Sequence, residues 1–290
     1  TVGTTGIGLE LSSPIGQFFQ VRAGVDYMPQ FKYNMNFGIQ LGDEPTGKFD
    51  ADGNLTHFGK LADMLKGFTG YEPDEHVTMV GSPKFTNFKF LVDVLPFENK
   101  KWHFTLGFYA GREKVAKAVN EITDAPTVLA VNIYNNLYDK VLNEEEIFMG
   151  LELPPDVADR ILNYGKMGLV LGSYRHDIKD KMGNIIHKKG EPYRMFPNEE
   201  SMIKSFIKTN KIRPYIGFGY GNSLSRDKKV NCSFDCGVMY LGGVHVYTHD
   251  GACLSHDVKN YCSSIKTYMN IFNNAKVYPV IDFRISYRLF

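Results

Sequence analysis

Residues 278–290 read YPVIDFRISYRLF, and the alternation in this stretch decides the fold. Ile281, Phe283, Ile285 and Tyr287 fall on one face, with Asp282, Arg284, Ser286 and Arg288 on the other. A period of two sends successive side chains to opposite faces of a strand, so the segment separates an apolar medium from a polar one. Chain ends usually fray in polar residues, whereas here the pattern runs almost to Phe290.

Seven further segments alternate in the same way: 7–11, 18–27, 31–41, 87–94, 102–111, 212–221 and 232–240. Across all eight, every charged residue lies on the second face: Glu10, Arg22, Asp26, Lys32, Lys89, Asp93, Arg213, Asp235, Asp282, Arg284 and Arg288. A soluble antiparallel sheet with one wet face alternates too, so alternation alone leaves both readings open. Three features favour lipid. The charged face is rich in glycine and its five acids and six bases nearly balance, which suits the narrow interior of a small barrel. Aromatics gather at strand ends (Tyr27, Phe31, Tyr33, Trp102, Tyr220 and Tyr287), as in a membrane girdle. Helical apolar surface elsewhere is too sparse to cover eight such faces.

These observations predict an all-β fold, an eight-stranded antiparallel transmembrane β-barrel. Ten strands are the alternative if 176–208 contributes to the wall. Segments 28–30, 95–101 and 222–231 read as short turns on the inner side. Residues 1–290 then form one barrel domain, with long loop insertions at 42–86, 112–211 and 242–278. The 3.6-residue pattern predicts helices over 55–68, 112–122, 154–165 and 257–275, and 166–174 reads as a hairpin arm within a loop.

Bulk composition narrows the function classes. A net charge of +1 over 290 residues leaves no basic footprint, so no nucleic-acid partner is expected. The 21 Phe, 17 Tyr and 28 Gly lean towards β structure. No apolar run reaches the roughly 18 residues of a membrane helix, and the opening TVGTTGIGLEL shows no leader pattern, which leaves export open.

Residues suited to catalysis are scarce. HVYTHDGACLSHDVKNYC (245–262) offers His245, His249 and His256 as weak metal candidates, beside a simpler reading as a polar loop with a Cys253–Cys262 disulfide. FDADGN (49–54) has Leu55 where a calcium loop needs glycine, so a hairpin turn is expected. Cys232 and Cys236 lie four apart on one strand face, roughly 13 Å by strand rise, too far to bridge. His103 points to the interior as a satisfied core histidine. No nucleophile motif or phosphate-binding glycine loop is present, and no catalytic residue, metal or cofactor is expected.

The motifs Asp93-Val94-Leu95-Pro96-Phe97, Gly107-Phe108-Tyr109, Pro214 to Gly219, Asp235 to Gly242 and Tyr278 to Phe290 together resemble small bacterial outer-membrane β-barrel proteins of the OmpA-type, porin-like kind. The resemblance touches the strands and stops at the long loops. It implies the outer membrane of a Gram-negative bacterium, contact with membrane lipid and lipopolysaccharide, and a monomer. It also implies an assembly signal, with Tyr287 and Phe290 read by the barrel-insertion machinery. The expected function is non-enzymatic: surface binding, or limited passage of very small solutes. The alternatives are a soluble ligand-binding β-barrel and a membrane-embedded enzyme that modifies lipid or lipopolysaccharide.

Overall fold

The computed structural model describes residues 1–146, 154–221 and 229–289. In chain order the elements begin with β1 (Val2–Gly3), β2 (Gly6–Ile15), β3 (Phe19–Tyr27), β4 (Tyr33–Leu41) and α1 (His57–Thr69). Next come β5 (His76–Pro83), β6 (Thr86–Val94), β7 (Trp102–Gly111), β8 (Lys114–Asn120), α2 (Ala125–Leu142) and α3 (Pro155–Tyr164). They continue with β9 (Met167–Tyr174), β10 (Ile178–Lys179), β11 (Ile185–His187), β12 (Pro192–Met195), β13 (Lys204–Lys208), β14 (Ile212–Gly221) and β15 (Val230–Tyr240). The last are β16 (His245–Thr248), α4 (Leu254–Asp257), β17 (Val258–Lys259), α5 (Ser263–Asn274) and β18 (Val277–Tyr287).

Eight strands close a barrel in the order β1-β18-β15-β14-β7-β6-β3-β2, every neighbouring pair antiparallel. Closure runs through β1, whose Val2 pairs with both Ile7 and Phe283. Beyond Gly8 and Phe283, β2 and β18 each have a ladder partner on one side only among the described residues, and Leu9 is accordingly 86% exposed. The outward face of the wall is apolar from strand to strand, with Val25, Phe90, Phe104, Ile216, Phe218, Phe234 and Ile281 all exposed. Ten residues of tilted strand cover about 25 Å of height, the thickness of the apolar band of a membrane barrel. Trp102 and Tyr220 pack edge to face at 4.9 Å near the short-turn end, and Tyr27 and Tyr240 lie at the opposite rim.

One strand assignment is corrected. Segment 31–41 is not in the wall: β4 belongs to a second, eight-stranded sheet ordered β12-β9-β4-β5-β8-β13-β16, with β17 paired to β9. Its apolar residues Phe37, Ile39 and Leu41 are buried in a protein core. Period-two alternation looks the same whether the apolar face meets lipid or a packed core. The place left in the wall is taken by β1, too short to show any period.

The ends of the barrel change with it. Segments 28–85, 112–211 and 241–276 all leave and re-enter at the rim where β3, β7 and β15 end. Residues 28–30 therefore open an excursion and are not an inner-side turn. The short connections are 16–18 and 95–101, at the other rim. Residues 222–228 and Phe290 lie outside the described residues.

The three excursions together form the second sheet and its helices, here called the cap. Helices α1 and α2 pack against β4 and β9, and α5 crosses β4 and β16. Thr56 caps α1 by accepting from the Gly59 N–H at 3.0 Å, and Gly70 (φ 72°) ends it in the left-handed region. Proline in the first turn starts α2 and α3. Segment 114–120, expected to be helical, is a central strand between β5 and β13. Its short run Val115, Ala116, Ala118 fits either period, and pairing on both sides outweighs the local preference. The expected helix over 257–275 is confined to 263–274, and 125–142 is a helix that the sequence reading missed.

Candidate functional site

The barrel interior is filled by an ion network and an apolar cluster. The network runs from Asp93 and His103 near the short-turn end to Asp26 and Lys89 near the cap rim, where Lys89 pairs across the ladder with Tyr109. Arg22 of β3 donates to Asp93 at 2.7 Å and to Asp235 at 3.0 Å, and lies 3.7 Å from Glu10. Lys89 contacts Asp26 at 2.9 Å and Glu10 at 3.1 Å. Arg284 reaches Glu10 at 3.2 Å and Asp235 at 3.4 Å. His103 Nε2 shares the Asp235 carboxylate at 2.9 Å, and Thr105 donates to Asp93 at 2.8 Å. The cluster Asp93, His103 and Asp235 has metal-like spacing, but the guanidinium of Arg22 already stands between the two carboxylates.

Glycine makes this packing possible. A Cβ on Gly219 would sit 2.3 Å from His103 Nε2, and one on Gly217 would sit 2.3 Å from the Tyr215 hydroxyl. Towards the cap, Tyr109 and Tyr215 meet edge to face at 5.5 Å and pack with Leu91, Met239 and Val280 in an apolar cluster. Arg213 stands apart from the network. It donates to Asn87 at 2.6 Å and to the Arg112 carbonyl at 2.7 Å, and its guanidinium lies 4.8 Å from the centre of the Phe85 ring.

Nine of the eleven charged residues assigned to the interior from sequence therefore point inward: Glu10, Arg22, Asp26, Lys89, Asp93, Arg213, Asp235, Asp282 and Arg284. Lys32 and Arg288 do not. Lys32 is exposed just before β4, outside the wall, and Arg288 is exposed beyond the end of β18. Tyr287 closes β18 with its ring exposed on the outer face.

Above the apolar cluster, between the barrel rim, the second sheet and α5, lies a cavity of about 530 Å³. Met28, Phe85 and Tyr278 form its floor at the rim. The sheet contributes Met35, Met79 and Ile207, and α5 contributes Ile265, Met269 and Phe272. Among the described residues its lining holds no carboxylate, histidine or cysteine. The Tyr33 and Tyr268 hydroxyls meet where α5 crosses β4, with the rings edge to face at 5.5 Å. That hydrogen bond raises the Tyr268 phenol above its ordinary value. The sequence reading missed the cavity because its lining is drawn from all three excursions. The clue available was the methionine content, since Met is unbranched and adapts to irregular ligands.

The remaining candidates are scattered through the cap. His245 and His249 do not approach His256; instead His256 meets His176 and Asp257. All four cysteines are free, so there is no Cys253–Cys262 disulfide, and burial pushes the thiols of Cys253 and Cys262 up. FDADGN forms the expected turn, the Asp50 carboxylate accepting from the Asp52 and Asn54 N–H groups. Asp180 makes the same turn with Met182 and Asn184.

Fold and site define a closed antiparallel β-barrel whose bore is blocked and whose capped end holds an apolar cavity. No protein-family model matches the chain, and no curated protein matches it. CarO from Acinetobacter baumannii, in its crystal structure, is similar at a TM-score of 0.40 and 11% identity, over 99% of this chain and 93% of that one. A likeness this distant carries neither ligand nor activity.

Proposed function

We infer that the protein is a non-enzymatic outer-membrane barrel that holds an apolar small molecule, an acyl chain or a compound of similar polarity, in its cap. The cavity carries the reading. Its volume lies in the range of small-molecule sites, its wall is almost wholly apolar, and its lining includes the exposed rings of Phe31 and Tyr33. The apolar outer wall supports membrane placement, because a soluble barrel would expose that whole belt to water. Passage through the bore is disfavoured by the ion network and the Tyr109–Tyr215 pair.

Two measurements test this reading. Unheated protein is expected to migrate faster than boiled protein in SDS gels, and equal migration would remove the membrane barrel. A fluorescent fatty acid is expected to bind protein held in an amphipathic polymer, where no detergent competes. Met35→Trp, which fills the cavity, should weaken that binding at least about tenfold while the gel shift stays. Equal binding by both proteins would overturn the cavity reading.

A further inference from the structure

The edge of the second sheet brings His176 beside the adjacent pair His256 and Asp257, which lie eighty residues further along the chain. β17 pairs with the end of β9, Val258 opposite Tyr174. This sets Arg175 and His176, just past β9, beside His256 and Asp257 at the end of α4. The Arg175 N–H donates to the Asp257 carbonyl at 2.7 Å, and its guanidinium donates to the Val258 carbonyl at 3.3 Å. His176 Nε2 lies 3.3 Å and His256 Nδ1 2.7 Å from the same oxygen, Asp257 Oδ1. The ligand atoms of all three residues fall within 4.8 Å of one another.

The carboxylate is held in place independently of the histidines. Its other oxygen, Oδ2, accepts from the Cys253 N–H at 2.9 Å, which orients Oδ1 towards the imidazoles. Such outer contacts fix a ligand before the ion arrives. Asp257 is only partly exposed while His256 is exposed, so one side is open to water or an exogenous ligand. Two imidazoles and one carboxylate with an open position suit a first-row divalent ion, zinc above all, and not calcium or magnesium, which prefer all-oxygen sets.

We propose that His176, His256 and Asp257 form a surface site for one zinc ion or a similar transition-metal ion. Bound metal would tie α4 and β17, from the third excursion, to the end of β9, from the second. The competing account is a hydrogen-bonded trio in which imidazole N–H groups share one carboxylate.

The test is calorimetric titration of untagged, folded protein with zinc chloride. One ion per chain is expected. His176→Ala, His256→Ala and Asp257→Asn should each weaken binding at least about tenfold, whereas His245→Ala should leave it unchanged. Cobalt added to the wild-type protein should give visible d–d absorption that zinc displaces and calcium does not. Unchanged near-UV circular dichroism, together with the gel shift, would show that each variant keeps both cap and barrel folded. Zinc binding that is absent, or that survives all three substitutions in folded protein, would overturn the proposal.

Discussion

At the scale of single residues, Arg22 shows how the barrel tolerates charge in its interior. Its guanidinium contacts Asp93, Asp235 and Glu10, all nearly inaccessible to water. Removing one partner of a buried ion pair leaves the other without compensation, at a cost of about 3–5 kcal/mol. Arg22→Ala is therefore expected to lower clearly the temperature at which the heat-modified band appears; an unchanged temperature would mean the carboxylates find other partners. Gly219 should be sensitive for a steric reason. Gly219→Ala would press on His103 and displace it from Asp235, giving a measurable loss of thermal stability in detergent.

At the scale of elements, the outward face of the wall gives the sharpest contrast between lipid and water. Ile216, midway along β14 and opposite Leu106, is 59% exposed. Ile216→Arg should cost about 2–4 kcal/mol in vesicles, the penalty for a cation near the bilayer midplane. Urea titration of folding into vesicles would show it, and a neutral result would place this face in water.

The same comparison explains how much was legible in the sequence. Residues of β3, β7, β14, β15 and β18 pair with the parity their alternation implied, so the interior positions of Arg22, Asp93, Asp235 and Arg284 could be read directly. β4 could not be placed, because Phe37, Ile39 and Leu41 meet a protein core through the same period that elsewhere meets lipid. The cavity, and His176 as the partner of the candidate His256, were hidden for another reason. Each joins excursions separated by scores of residues, and no local pattern encodes that contact.

At the scale of the whole molecule, the side chains packed inside the barrel predict no steady conductance. Planar bilayers carrying the protein should stay at baseline, and discrete single-channel steps would contradict the packing of Tyr109, Tyr215 and the ion network. The cap should also fail before the barrel at alkaline pH. Burial pushes the phenol of Tyr174 up to about 12, and it raises Tyr134 and Tyr193 as well. Each folded-state value exceeds the unfolded one near 10, so their contribution is intact below about pH 10 and is lost as pH rises towards and beyond 12. Tyrosinate absorbance should then rise together with loss of fatty-acid binding, while the gel shift persists. Phenols titrating near 10 without change in the cap would refute this.

The interleaving of the three excursions also bears on how such a surface can change over generations. In a barrel with independent loops, each can lengthen, shorten or be exchanged without disturbing the others. Here β4 pairs with β9 and β13 with β16, across excursion boundaries, so a change of length in one shifts the register of another. Tolerance of sequence drift is left chiefly to tips that pair with nothing beyond their own hairpin. The turns at Asp50–Asn54 and Asp180–Asn184 are the places where a lineage can change sequence and length and keep the rest of the cap.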